Sequence, residues 1–111
     1  MNFAIYTISK NEAHNAEAFM KAAEGCPVYV LDTGSTDDTV ALLKKHGAHV
    51  AQKTINPWRF DTARNEALAL VPDDVDVCVS IDMDERLDPG WQDKLREQWS
   101  GNIGSYFYIA E

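Results

Sequence analysis

The chain has 111 residues, 45% of them hydrophobic, which suits one domain with a modest core. Its 10 basic and 18 acidic residues give a net charge of -8, which argues against nucleic acid as a partner, because phosphate recognition needs a basic patch. No stretch is long enough to span a bilayer, and residues 1–8 lack the basic start and apolar length of a signal peptide. Cys26 and Cys78 are the only cysteines, and both sit at or within apolar runs. Reduced thiols in a reducing, cytoplasmic compartment are expected, with any membrane association made through an acceptor or partner.

Taken in order, residues 3–8 form a short apolar, β-branched and aromatic run that reads as strand one. Ser9-Lys10-Asn11-Glu12 breaks it. A first helix is predicted over 12–24, with Ala16, Phe19, Met20 and Ala23 on one face, ended by Gly25 and Pro27. Residues 28–31 are strand two. Asp32-Thr33-Gly34-Ser35 is a turn, and Ser35 with Asp38 three residues on resembles a capping box. This predicts a second helix over 36–46, with Val40 and Leu43 inward and Gly47 as its stop. Residues 49–52 are a weak third strand.

The loop over 54–59 carries the turn signal Asn56-Pro57. Asp61 is a good N-cap for a third helix bearing Ala63, Ala67, Leu68 and Leu70, stopped by Pro72. Residues 75–81 read as strand four. Asp88-Pro89 opens a fourth helix, with Trp91, Leu95 and Trp99 on one stripe and Gly101 at its end. Residues 104–110 read as the last strand. Strands alternate with helices four times, without repeat or linker. A single α/β domain over 1–111 is therefore expected, a three-layer α/β/α arrangement around a mostly parallel sheet.

In such open sheets, ligands bind outside the carboxyl ends of the strands. The polar clusters fall after strands one, two and four: residues 9–12, 32–35 and 82–85. Helix three adds Arg64 and Asn65. On a strand, alternate side chains share a face, so Asp82 and Asp84 are placed to point the same way. Two close carboxylates stay ionised together only beside a cation, and their oxygens suit Mg²⁺ or Mn²⁺. The plainer reading of Ser80-Ile81-Asp82-Met83-Asp84-Glu85 is an acidic turn after a strand. Asp32, Thr33 and Glu12 have hydrogen-bonding groups for a base or ribose. Arg64 is either a bidentate phosphate ligand or a solvated arginine at a helix start. There is no glycine-rich phosphate loop, so a phosphate would be handled by the cation. Trp58 has two readings, stacking on a base or sugar and packing against the sheet edge. His14, His46 and His49 show no metal-ligand spacing.

Four segments in order carry a resemblance. They are Ser9-Lys10-Asn11-Glu12, then Leu31-Asp32-Thr33-Gly34-Ser35-Thr36-Asp37-Asp38-Thr39, then Ala63-Arg64-Asn65, then Ile81-Asp82-Met83-Asp84-Glu85-Arg86. Together they resemble the donor-binding half of a family 2 glycosyltransferase of the GT-A (nucleotide-diphospho-sugar transferase) type, over nearly the whole chain. The resemblance implies transfer of a sugar from a nucleotide diphosphate to an acceptor hydroxyl. It implies that Ser9, Lys10, Glu12, Asp32 and Thr33 hold the base and ribose, and that Arg64 lies near the nucleotide or its phosphates. Asp82 would face the ribose, and Asp84, with Asp82, would bind Mn²⁺ or Mg²⁺. Many relatives carry two acidic residues where this chain has Asp32-Thr33, so base identity is open between uracil and guanine. A UDP-sugar is the default donor.

The resemblance implies that the general base lies well beyond the D-x-D signature, in the family's acceptor-binding half. Asp61, Glu85 and Asp88 are carboxylates near the right edge, but none is assigned as the base. The short length implies a truncated form, a fragment or one half of an assembly. A last strand left with an unpaired edge would favour a homodimer. Two other classes compete. One is a nucleotide-binding or assembly module without turnover. The other is a receiver-type phosphoacceptor domain, disfavoured because Ser9-Lys10-Asn11 stands where an acidic pair would follow strand one.

Overall fold

The structure, a computed structural model, describes residues 3–83 and 106–107. The chain runs β1 (Phe3–Ser9), α1 (Ala13–Ala22), β2 (Val28–Asp32), α2 (Thr39–Lys45), β3 (His49–Gln52), α3 (Phe60–Leu68), β4 (Val77–Ser80) and β5 (Tyr106–Phe107). The predicted fourth helix, with Trp91, Leu95 and Trp99, lies outside the described residues, as do Asp84, Glu85 and Asp88.

All strand pairs are parallel, in the order β3-β2-β1-β4-β5. β1 is central and buried on both faces, which is why it reads as a continuous apolar run rather than an alternating one. Strand alternation then builds two cores. Phe3, Ile5, Val28, Val30, Val77 and Val79 pack with Phe19 and Met20 of α1 and Leu43 of α2. Ala4, Tyr6 and Leu31 face the other way, onto Ala63 and Ala67 of α3 and Val71 beyond it. The alanines let α3 approach the sheet closely. The expected three-layer α/β/α order is thus present, with α1 and α2 on one face and α3 on the other. On the outer strand pair, the Tyr29 and His49 rings stack with centroids 4.8 Å apart, at paired positions of β2 and β3.

The third strand falls where the sequence predicts it, but two helix starts differ. α2 begins at Thr39, not Thr36, and no capping box forms. The Ser35 hydroxyl is instead turned back to Asp32, which keeps residues 33–38 in a loop. The end of α2 follows the prediction. Gly47, at φ 93°, gives its amide to the Lys44 carbonyl at 3.1 Å, and Ala48 gives its own to Leu43 at 3.0 Å. These two bonds make a Schellman stop, which needs the left-handed conformation glycine adopts freely. α3 begins at Phe60, with Asp61 inside its first turn and paired to Arg59 at 3.2 Å instead of capping the helix. β4 is shorter than the predicted 75–81. No helix among the described residues is long and apolar enough to cross a membrane. Cys26 and Cys78, both half-buried, are not joined in a disulfide.

Candidate functional site

The chain builds outward from β1 to β2 and β3, then returns across β1 to place β4 on its other side. Strand order reverses between β1 and β4, so the loops after Ser9 and Ser80 part and leave a crevice at the carboxyl edge of the sheet.

The loops after β1 and β2 are stitched together. Asp32, wholly buried, sits where β2 ends. Its Oδ1 accepts the Gly34 and Ser35 amides at 3.0 and 2.8 Å. Its Oδ2 accepts the Ser9 hydroxyl at 2.8 Å and the Ser35 hydroxyl at 2.5 Å. Burial by itself would raise this carboxyl's pKa. The Ser35 hydroxyl and amide, the Gly34 amide and the Ser9 hydroxyl outweigh it and hold the pKa below the ordinary value. The Asp32 carbonyl also accepts the Lys53 amide at 2.9 Å, which ties in the loop after β3. Gly34, at φ 131°, has the backbone freedom this tight wrap around one carboxylate requires.

The start of α1 is held by the same segment. Asn11, in the left-handed region at φ 54°, donates its amide to the Ser35 hydroxyl and accepts the Thr36 amide on Oδ1, both at 2.8 Å. Glu12 donates its amide to the Thr39 hydroxyl at 2.8 Å, and Ala13 donates to Asp37 at 3.3 Å. Thr39 donates its own hydroxyl to Asp37. That bond, set against partial desolvation and joined by the Thr39 and Ala13 amides, lowers the Asp37 pKa. α1 therefore lacks a local cap because its opening amides are met across the loop.

Two hollows open beside this web. The larger, of about 410 Å³, is lined by Ile8, Ser9, Lys10, Glu12, Thr33, Thr54, Ile55 and Trp58. That volume falls in the range of small-molecule sites. The smaller crevice is lined by Tyr6, Thr7, Ile8, Phe60, Arg64, Ser80, Ile81 and Asp82. Ile8 belongs to both walls. Arg64 is half-buried, with its guanidinium carbon 4.6 Å from the centre of the Phe60 ring, a cation–π contact that fixes its direction.

The predicted residues thus divide. Ser9, Lys10, Glu12 and Thr33 line the larger hollow, and Arg64 and Asp82 line the crevice. Asp82 is exposed between the buried Ile81 and Met83, while Asp84 lies outside the described residues. Asp32, expected beside the base or ribose, spends both carboxylate oxygens inside the loop web. Ser9 gives its hydroxyl to that carboxylate, and Thr33 gives its own to the Ser9 carbonyl at 3.3 Å. Glu12 stays half-buried, with Oε2 accepting from Asn15 at 2.9 Å. Sequence reasoning missed the structural work of Asn11, Ser35, Asp37 and Thr39, and the contribution of Thr54, Ile55 and Phe60. For Asn11 a signal was available: asparagine is enriched in the left-handed conformation.

A parallel sheet wrapped by helices, with its polar loops and hollows gathered where strand order reverses, has the architecture of the nucleotide-binding α/β proteins. Residues 5–104 match Glycosyl transferase family 2, and the chain belongs to that family, with a fold of the GT-A type. No curated protein matches the chain.

Proposed function

We propose that this chain takes a nucleotide-diphosphate sugar, with UDP as carrier, and transfers the sugar to an acceptor hydroxyl with help from Mn²⁺ or Mg²⁺. The observation that carries the reading is the adjacency of the two hollows across Ile8, at the reversal of strand order. A nucleoside lies in the larger one, against Ser9, Lys10, Glu12 and Thr33. Its diphosphate extends into the crevice, where Arg64 offers two parallel N–H donors to phosphate oxygens.

Asp82 fits a hard cation, since an exposed carboxylate at the crevice is the donor type such ions take. Among the described residues no three His, Cys, Asp or Glu side chains gather into an all-protein cage. One or two carboxylates completed by substrate phosphates is the usual arrangement for Mg²⁺. Asp82 and Asp84 would hold the ion, which when bound supplies charge neutralisation to the leaving diphosphate. Arg64 adds fixed positive charge on the same side.

The test is calorimetric titration of UDP and GDP with and without Mn²⁺, on the wild type and on Asp82→Ala and Asp84→Ala. One nucleoside diphosphate is expected to bind, only with metal, and binding is expected to disappear in Asp84→Ala. Equal affinity with and without metal would refute the proposal. Assaying sugar transfer and donor hydrolysis separately then distinguishes a transferase from a module that binds without turnover.

A further inference from the structure

Three large apolar side chains are exposed among the described residues: Trp58 at 55%, Phe60 at 49% and Leu68 at 40%. Phe60 has its role beneath Arg64. Trp58 stands in the larger hollow with more than half its surface open to water, beside Ile55 and Ile8. Those two isoleucines are half-buried and rooted in the core under α3. They form a fixed apolar floor, and the indole stands beside it. Lys10 and Glu12 supply polar groups to the same hollow, whose wall also includes the buried Ser9 and Thr33. An exposed indole among ring-edge hydrogen-bonding groups matches a flat heteroaromatic ligand, whose face is apolar and whose edge is polar.

The loop carrying Trp58 is held at both ends. At one end, the Lys53 amide donates to the Asp32 carbonyl at 2.9 Å, and the Lys53 ammonium meets Glu66 of α3 at 3.0 Å. At the other, the Arg59 carbonyl accepts the Ala63 amide at 3.1 Å, and the Arg59 side chain pairs with Asp61. Anchors on both sides of Trp58 limit the freedom of its backbone, which lowers the ordering cost of binding.

We infer that Trp58 is the stacking platform for the donor's nucleobase. The inference rests on the proposed function: with the diphosphate at Arg64 and Asp82, the far end of the donor lies at Trp58. The sequence left base stacking and sheet-edge packing open for this residue, and its exposure in the hollow favours stacking.

The experiment titrates UDP, GDP and inorganic pyrophosphate, all with Mn²⁺, into the wild type, Trp58→Ala, Trp58→Leu and Trp58→Phe. Pyrophosphate carries no base, so it reports the crevice alone. Trp58→Ala is expected to weaken the preferred nucleotide about 5- to 150-fold, the range that base–aromatic stacking spans on alanine substitution. Trp58→Phe should recover most of the loss, and pyrophosphate should bind all variants alike. Trp58→Leu keeps apolar bulk without an aromatic face, and should fall close to Trp58→Ala. It decides the matter should the alanine variant not fold. Nucleotide binding unchanged in Trp58→Ala or Trp58→Leu would overturn the platform, as would an equal loss of pyrophosphate binding. Wild type that binds pyrophosphate but neither nucleotide would overturn the platform while sparing the crevice. Failure to bind any of the three would remove the proposed function as well.

Discussion

Asp32→Asn is the most informative change, because it keeps the shape of the buried side chain and removes its charge. In the native chain four donors converge on one carboxylate. Hydrogen bonds to a charged acceptor each contribute roughly 1.5–3 kcal/mol, neutral ones about 1. The Gly34 and Ser35 amides are reachable by water or can bond the amide oxygen of asparagine, so their loss is small. Ser9 is only 1% exposed, and its hydroxyl would have to turn to accept from the new NH₂ group. The net loss is about 2 kcal/mol for Asp32→Asn. It is roughly 4 kcal/mol for Asp32→Ala, which strands the Ser9 hydroxyl in a dry site.

With a urea slope of about 2 kcal/mol/M, the asparagine variant's midpoint should fall by about 1 M at pH 7. The pH dependence gives a second check. The folded pKa is lowered from 3.8, so the stabilisation is fully present above that value and is lost as pH falls through the folded pKa. The gap between wild type and Asp32→Asn should therefore be flat from pH 7 to about pH 5 and narrow only in stronger acid. A midpoint within experimental scatter of the wild type at pH 7 would refute the role assigned to this carboxylate. So would a gap that widens in acid.

Two further outcomes are expected. Thr39→Val preserves shape but removes the acceptor for the Glu12 amide and the donor to Asp37, and should cost roughly 1–3 kcal/mol. Amide exchange at Glu12 and Ala13 should accelerate more than exchange within β1, and uniform acceleration would contradict the assignment. Burial raises the Cys78 thiol's pKa, so little of it is thiolate near neutrality. Alkylation of a Cys26→Ser variant should be slow at pH 7.5 and accelerate on urea addition, whereas rapid labelling of the folded protein would show that β4 is more open than described.

The layers were legible because β1, β2 and β4 are written in apolar, β-branched residues, and because Ala63 and Ala67 mark the close-packed face of α3. Glycine at 47 announced its helix stop correctly, since that stop is built from neighbours in sequence. The start of α2 was not legible for the opposite reason. Ser35 has the residue type and spacing of a cap, and only a view of Asp32 and Asn11 shows that its hydroxyl is already engaged. Asp32 itself was ambiguous in principle. An aspartate at the end of a strand serves equally to reach a ligand or to wrap its own turn, and letters alone do not state direction. Ser9, Lys10, Glu12 and Thr33 were correctly grouped at one edge by topology. Trp58 could not be weighed until its exposure was known.

The cross-loop capping of α1 also has a consequence for how the chain can be altered. The side chains that meet its opening amides come from 24 to 27 positions downstream. A peptide containing only β1 and α1 would lack them, so the helix should gain its first turn only once β2 has docked. Anyone transplanting this pair of loops would have to move both segments as one unit, because neither half carries the instructions for its own shape.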